Sequence, residues 1–306
     1  MISSNTIFVG GPGRSGTSFF AAALSAHPEI CTFPDVELKI FSETDGIWDL
    51  YNALVTQFSP QRAPIAVERF LQLVGALLDD DVPNQASLSR YGARSDFEKL
   101  AYRFILKFKR SALPHRQTPE FFFQACRELI HDLSSIAKNS KENPELVKFF
   151  LEKTPHSLLQ LDLLHRLAPN GHYIHVMRDP RSIAASLVRM PWGPPTFDVA
   201  TEWLGSYLEA WNHIQEIASL KNIVVHKLYI EDIARQPEQA SSFITENLGI
   251  AGSDTLFSEG GASLEQLNGW VSSIDERVKI YLDNELEPYI KELGYHPTEI
   301  GLRITS

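Results

Sequence analysis

Cysteine is nearly absent from the sequence, and with it the usual pattern of a disulfide-rich or zinc-binding protein. The 306 residues include two cysteines, Cys31 and Cys126, which lie far apart and in no ligand spacing. We therefore expect neither a disulfide framework nor a bound metal. No stretch approaches the roughly 18 uninterrupted apolar residues of a membrane helix, and the N-terminus has neither the basic nor the long apolar region of a signal peptide. These absences lead us to expect a cytoplasmic protein.

An excess of positive charge is also missing. The 28 Lys and Arg residues are outnumbered by 38 Asp and Glu residues, so the formal net charge is −10. This balance argues against nucleic-acid binding through a general basic field, but it allows a local basic pocket for a polyanionic small molecule. The hydrophobic content of 43% is ordinary for a globular protein that buries a core.

Small residues are concentrated near the N-terminus, between a strand-like run and a helical run. The segment Gly10–Ser18 reads Gly-Gly-Pro-Gly-Arg-Ser-Gly-Thr-Ser and follows the apolar run Thr6–Val9. A strand, a glycine-rich turn and a helix in this order cradle an anion, because inward N–H groups and the helix N-terminus supply positive charge. Gly11 and Gly16 have the spacing of the ATP-binding P-loop, but Thr17 stands at the position of its lysine. Since an NTPase needs that lysine, a P-loop kinase or NTPase is an alternative of lower rank.

Apolar runs alternate with helical patterns through most of the chain. Besides the run that precedes the glycine-rich turn, strands are predicted at 29–33, 146–151, 173–177 and 223–228. This alternation is typical of βαβ units. We predict a three-layer α/β fold of the P-loop NTPase type, with a mostly parallel central sheet. Four helical patterns at about 45–140 predict an insertion that covers the acceptor side of a single domain spanning 1–306.

Two more polar segments directly follow predicted strands. Glu152–Pro155 reads Glu-Lys-Thr-Pro, and Arg178 ends another strand, with Ser186 two turns into the next helix. Because ligands bind at the carboxyl ends of parallel strands, we expect these segments and the glycine-rich turn on one rim. A guanidinium and a hydroxyl beside a helix start form a good phosphate clamp. Two anion sites indicate a ligand with phosphates on both ends of a nucleoside.

These segments resemble those of a known enzyme family. Gly10–Ser18 resembles the 5′-phosphosulfate-binding loop of sulfotransferases that use 3′-phosphoadenosine 5′-phosphosulfate (PAPS), and Tyr173–Ser186 resembles their 3′-phosphate-binding segment. Glu152–Pro155 is similar to the lysine-containing turn of the tyrosylprotein, carbohydrate and bacterial branches. Weaker similarity at 230–233 and 269–295 extends the resemblance over the chain, except for the insertion. It implies transfer of a sulfuryl group from PAPS to a hydroxyl or amine, which leaves adenosine 3′,5′-bisphosphate (PAP).

The resemblance also implies roles for single residues. The donor-binding residues are Gly13, Arg14, Ser15, Gly16, Thr17, Ser18, Arg178 and Ser186. Arg14 is expected to contact the phosphosulfate, Lys153 to stabilise the leaving group, and Glu37 to act as the base that activates the acceptor. Asp35 and Glu43 are rivals for the base, since the loop length differs from that of the family, and a histidine base also remains open.

Some features depart from the family or leave alternatives. Tyr229 lies one position before the family's tyrosine, which is replaced here by Ile230, and the family's Arg-Lys-Gly segment has no counterpart. A non-catalytic relative that binds a nucleotide or a protein therefore remains a third hypothesis. The acceptor is not identified, but aromatic residues of the insertion are expected to line its pocket: Trp48, Tyr51, Phe58, Tyr91 and Phe104.

Overall fold

The computed structural model describes residues 5–80, 86–110, 116–252, 256–257 and 263–304. The chain divides into two compact units. The first consists of Met1–Val9 and Ser25–Tyr173, and the second of Gly10–Leu24 and Ile174–Ser306. The expectation of one domain over 1–306 stays a prediction.

Five strands form one sheet in the order β2-β3-β1-β4-β5. They are β1 (Thr6–Gly10), β2 (Ile30–Cys31), β3 (Phe149–Lys153), β4 (His172–Met177) and β5 (Val225–Tyr229). Strand β3 pairs in parallel with β1 and β2, with Ile7 opposite Leu151 and Ile30 opposite Phe149. Both β1 and β3 are buried along their whole length, as in parallel strands that are covered on both faces. The predicted α/β fold with a mostly parallel sheet is confirmed.

Helices surround the strands in both units. In the described residues they are α1 (Thr17–Ala26), α2 (Ile47–Tyr51), α3 (Arg62–Leu77), α4 (Arg94–Arg110), α5 (Pro119–Asn139), α6 (Leu161–Leu167), α7 (Pro180–Leu187), α8 (Phe197–Lys221), α9 (Ile230–Arg235), α10 (Pro237–Leu248), α11 (Leu264–Asn268), α12 (Glu276–Glu285) and α13 (Glu287–Glu292). None of these helices is long and apolar enough to cross a membrane.

Local sequence explains several helix ends. The Asp179 carboxylate accepts a hydrogen bond from the Arg181 amide at 2.9 Å, and Pro180 occupies the first turn, so α7 begins as predicted. Helix α8 ends where Asn222 adopts a left-handed conformation with φ of 54°. Near the C-terminus, Pro288 cannot donate an interior hydrogen bond, and the helical stretch is divided into α12 and α13.

The helical insertion has an aromatic core of its own within the first unit. The Phe104 ring lies 5.3 Å from that of Phe70 and 5.1 Å from that of Phe108, and Tyr51 lies 5.1 Å from Phe123. Tyr51 and Phe104 are thus buried core residues and not exposed pocket walls. Their burial follows from the packing of helices α2 to α5 through large apolar side chains, and their contact with an acceptor stays a prediction.

Candidate functional site

The glycine-rich turn of the second unit requires glycine at two positions. A Cβ atom at Gly11 would lie 2.2 Å from the Val176 carbonyl oxygen, and one at Gly16, where φ is 102°, would lie 3.0 Å from Ile230. At Gly11 the turn therefore packs against β4 more closely than a side chain permits, and at Gly16 the positive φ and the close contact with Ile230 of α9 both favour glycine. Arg14 has a φ of 71°, which is unusual for a residue with a side chain and is found often at functional sites.

The structure brings three predicted donor-binding residues together. Arg14 Nε donates a hydrogen bond to Ser186 Oγ at 3.1 Å, and Arg178 Nη1 donates to the Arg14 carbonyl oxygen at 3.4 Å. The Arg14 side chain is exposed, whereas Arg178 is only 9% exposed. The turn is thus connected to Arg178, which precedes α7, and to Ser186, which lies near the end of α7, although we expected two separate anion sites.

Two buried donors in this cluster lack hydrogen-bond partners among the described residues: Ser15 Oγ and Arg178 Nε. Arg178 Nη2 donates to the Leu267 carbonyl oxygen. Burial lowers the pKa of Arg178, and the nearby carboxylates of Glu231 and Asp179 oppose that effect. Buried polar groups are rarely left unsatisfied, so unused donors beside an exposed arginine fit a ligand with several anionic oxygens.

A buried hydrogen-bond network adjoins Arg178 at the next residue, Asp179. Its central residue is Glu231, for which no role was predicted. Glu231 Oε1 accepts a hydrogen bond from the Asp179 amide at 3.0 Å, and its Oε2 accepts one from the Tyr295 hydroxyl at 2.7 Å. Burial raises the pKa of Glu231 to about 7, and these hydrogen bonds act in the other direction. Arg181 is fully buried and paired with Asp179 at 2.7 Å. The network holds the chain immediately after Arg178.

The first unit contains the other two predicted catalytic residues, and they are in contact. Lys153 Nζ donates to Glu37 Oε1 at 2.7 Å. Lys153 ends β3 and is 8% exposed, while Glu37 lies on the loop after β2 and is 31% exposed. The flanking residues Val36 and Leu38 are buried, so the alternation of side chains along this loop turns Glu37 toward Lys153. The expected common rim of this pair and the donor-binding cluster stays a prediction.

A second pair of residues fastens the loop that carries Glu37. Thr154 Oγ1 donates to Glu152 Oε1 at 2.5 Å and accepts a hydrogen bond from the Lys39 amide at 3.3 Å. Lys39 has a left-handed φ of 56°. Burial raises the pKa of Glu152 to about 7, although the Thr154 hydrogen bond and the Lys153 charge act against this. Glu152 and Thr154 belong to the predicted lysine-containing turn, but only the tertiary contact reveals their role.

The rivals of Glu37 as the base have different surroundings. Asp35 is exposed and interacts electrostatically with Tyr91. Burial lowers the pKa of His156, and the charges of Glu43 and Glu37 oppose this effect. His156 directly follows the lysine-containing turn and was not singled out from the sequence, so it joins Glu43 among the remaining alternatives.

A family model and a curated relative match this chain. The model of the sulfotransferase family matches residues 6–254. The chain is 22% identical over 307 residues to protein-tyrosine sulfotransferase 2 from Gallus gallus, covering 96% of this chain and 64% of that relative, which is less than two thirds of its length.

Two solved structures are also similar. One is the sulfotransferase domain of the Synechococcus PCC 7002 olefin synthase, with 17% identity, coverage of 92% of this chain and 84% of that chain, and a TM-score of 0.46. The other is a sulfotransferase from Mycobacterium avium, with 13% identity, coverage of 99% and 79%, and a TM-score of 0.46. The matched range contains the glycine-rich turn, Lys153 and Ser186. Because the family model matches most of the chain, the chain belongs to the sulfotransferase family.

Proposed function

We propose that this protein transfers a sulfuryl group from PAPS to a hydroxyl or amine of an acceptor. Membership of the family supports sulfotransfer in general. The observation that carries the donor assignment is the cluster of Arg14, Ser186 and Arg178, with its unused buried donors. PAPS supplies the sulfuryl group and presents anionic groups at both ends of a nucleoside, which matches a cluster of this composition.

Residues of the second unit would bind the donor. The backbone amides at the start of α1 and the hydroxyls of Thr17 and Ser18 would receive the 5′-phosphosulfate, because a helix N-terminus offers N–H groups without intrahelical partners. Gly13, Ser15 and Gly16 complete this loop, and Arg14 adds an exposed guanidinium. Arg178 and Ser186 would bind the 3′-phosphate, since a guanidinium matches phosphate geometry.

Residues of the first unit would handle the acceptor. Glu37 would take the proton from the acceptor hydroxyl as the new S–O bond forms. Lys153 would offset the negative charge that builds on the leaving oxygen in an in-line displacement. The Lys153–Glu37 ion pair of 2.7 Å keeps both groups oriented before any substrate arrives.

Isothermal titration with PAP tests the donor site. We expect the wild-type chain to bind PAP and Arg178→Ala to bind at least about tenfold more weakly, since a charge-assisted hydrogen bond is lost. The exposed Arg189, which donates to the Ala185 carbonyl oxygen, provides a matched control, and Arg189→Ala should bind PAP normally. A folded wild-type chain that does not bind PAP refutes the proposal, and binding of Mg²⁺-ATP instead would favour a kinase or NTPase.

A transfer assay with labelled PAPS and a panel of hydroxyl and amine acceptors tests the chemistry. Glu37→Gln should greatly reduce transfer and leave the affinity for PAP unchanged. Lys153→Ala should reduce transfer and also weaken PAP binding, since PAP carries the leaving oxygen. If neither substitution alters transfer, Glu37 and Lys153 have other roles. PAP binding without transfer to any acceptor would support the non-catalytic alternative.

We also propose a cytoplasmic location. Cys31 and Cys126 are both buried and free, and burial raises the pKa of Cys31 to about 11. Thiols of this kind are typical of a reducing compartment. Cell fractionation checks the location, and recovery of the protein from a secreted or membrane-enclosed fraction would contradict it.

A further inference from the structure

The apolar core of the described insertion leaves little space beside it for the ring of an acceptor. Its aromatic side chains pack against one another, and an apolar cavity beside Leu38, Ile40 and Phe70 measures about 20 Å³. That volume is far below the roughly 300 Å³ of a small-ligand pocket. A phenol or sterol ring therefore has no room in this cavity.

A larger groove, with a volume of about 380 Å³, lies between α2 and α3 in the same unit. Along α3 it is lined by Arg62, Ile65 and Arg69, which recur on one helix face. Two helical turns separate the two arginines, which corresponds to about 10 Å along the axis. The facing wall includes Asp49 and Asn52. The groove therefore has guanidinium groups on one side and carboxylate and amide groups on the other.

The arginines of this groove are weakly engaged. Arg69 Nη1 lies 3.6 Å from Asp45 Oδ1, and the Arg69 side chain is 59% exposed, so this pair contributes little. Arg62 is exposed, and no carboxylate pairs with its side chain in the part of the chain that the structure describes. Asp49 is committed, since its Oδ2 accepts a hydrogen bond from the Asp45 amide at 2.6 Å. The groove thus keeps free capacity for an anion.

Irregular backbone marks the same groove. Residues Asn52–Thr56 form a π-helical turn, in which the Gln57 amide donates to the Asn52 carbonyl oxygen at 2.8 Å. Asn52, Ala53 and Gln57 all line the groove. Short π-helical turns are rare and occur frequently at functional sites.

One stretch of chain joins the loop that carries Glu37 to the wall of the groove. The Glu43 amide donates to the Lys39 carbonyl oxygen at 2.9 Å, and the Ile47 amide donates to the Ile40 carbonyl oxygen at 2.6 Å. These bonds fold the loop back on itself, so that its far end, at Asp45, lines the groove. A second groove, between α4 and α5, lacks this connection.

We propose that the groove between α2 and α3 binds the distal part of the acceptor, and that this acceptor is a hydroxyl-rich molecule with an anionic group. Arg62 and Arg69 recognise the carboxylate, sulfate or phosphate, while Asp49 and Asn52 bind hydroxyls. Ile65 is 53% exposed and covers the apolar face of a ring. This inference rests on the proposed function, because it takes Glu37 as the residue that the acceptor hydroxyl must reach.

Titration of the full chain with glucuronate and with glucose tests this inference, since the two sugars differ in a single carboxylate. We expect glucuronate to bind about tenfold more tightly than glucose, which corresponds to one charge-assisted hydrogen bond. Arg62→Ala should remove most of this difference. Arg277, an exposed arginine of α12, supplies the control, and Arg277→Ala should preserve it. All variants should bind PAP as the wild-type chain does.

The outcomes separate this inference from the proposed function. The proposal that the groove binds an anionic acceptor is overturned by any of three results. These are equal binding of the two sugars, no binding of glucuronate, or an Arg62→Ala variant that still prefers glucuronate as the wild type does. Failure of PAP to bind would instead refute the donor assignment. The sugar titration would still decide whether the groove binds an anionic sugar.

Discussion

Thr154→Val removes a hydroxyl that fastens the loop of Glu37 and leaves the shape of the side chain almost unchanged. The hydroxyl donates to the Glu152 carboxylate at 2.5 Å and accepts from the Lys39 amide at 3.3 Å. Glu152 and Thr154 are each 1% exposed, so water cannot readily replace the lost donor.

The structure sets the size of the effect. A hydrogen bond to a charged group contributes about 1.5–3 kcal/mol, and a neutral one about 1 kcal/mol. We expect Thr154→Val to lower the free energy of unfolding by about 2–4 kcal/mol at about pH 8, where Glu152, with a pKa of about 7, is ionised. Thr154→Ser keeps the hydroxyl and loses one buried methyl group, which costs about 1 kcal/mol.

Urea unfolding measures the global effect, and hydrogen exchange followed by mass spectrometry measures the local one. In Thr154→Val the peptide around Lys39 should exchange at least about fivefold faster, since about 1 kcal/mol of local protection is lost. Thr154→Ser should exchange like the wild type. If the valine and serine variants behave alike in both measurements, the hydroxyl does not hold the loop, and the role assigned to Thr154 is wrong.

Three further predictions follow from the structure. Burial raises the pKa of Glu152 from 4.5 to about 7, so between these pH values the folded chain holds a proton on Glu152 that the unfolded chain has lost. The contribution of Glu152 to stability therefore falls as the pH rises through this range, and Glu152→Gln removes that dependence. The difference in unfolding free energy between the two chains should change by about 3 kcal/mol, and a constant difference across this range would contradict the burial of the carboxylate. Gly11→Ala places a Cβ atom 2.2 Å from the Val176 carbonyl oxygen. It should destabilise the chain by about 1–3 kcal/mol and weaken PAP binding in titration. Unchanged stability and PAP affinity would show that the turn tolerates a side chain. Phe108 is fully buried in the insertion core, and Phe108→Ala should cost about 3–5 kcal/mol in urea unfolding; a loss below about 1 kcal/mol would show that this core is loosely packed.

Local features of the structure follow closely from local sequence. The Gly10–Ser18 turn, the helix after it and the capped start of α7 at Asp179 all lie where the residues predict. Each depends on interactions within a few residues, such as a glycine conformation, a capping carboxylate or a proline in the first turn. The alternation of apolar and helical runs likewise predicts the α/β class, because it reflects the periodicity of each element.

Contacts between distant residues could not be predicted in this way. The same Glu-Lys-Thr-Pro turn supplies Lys153, which meets Glu37, and Thr154, which holds Lys39, yet the sequence carries no signal for either partner. Arg181 has the residue type of an anion ligand, but the carboxylates of Asp179 and Asp283 and backbone carbonyl groups use its donors.

The sequence by itself therefore determined the elements, the anion-cradling turn and the family of this protein. Only the tertiary structure decided that Tyr51 and Phe104 of the insertion are buried in its core and that charged residues line its groove. The physical reason is that a turn or helix end is stabilised by its own neighbours, whereas burial and ion pairing depend on which surfaces the packed helices leave exposed.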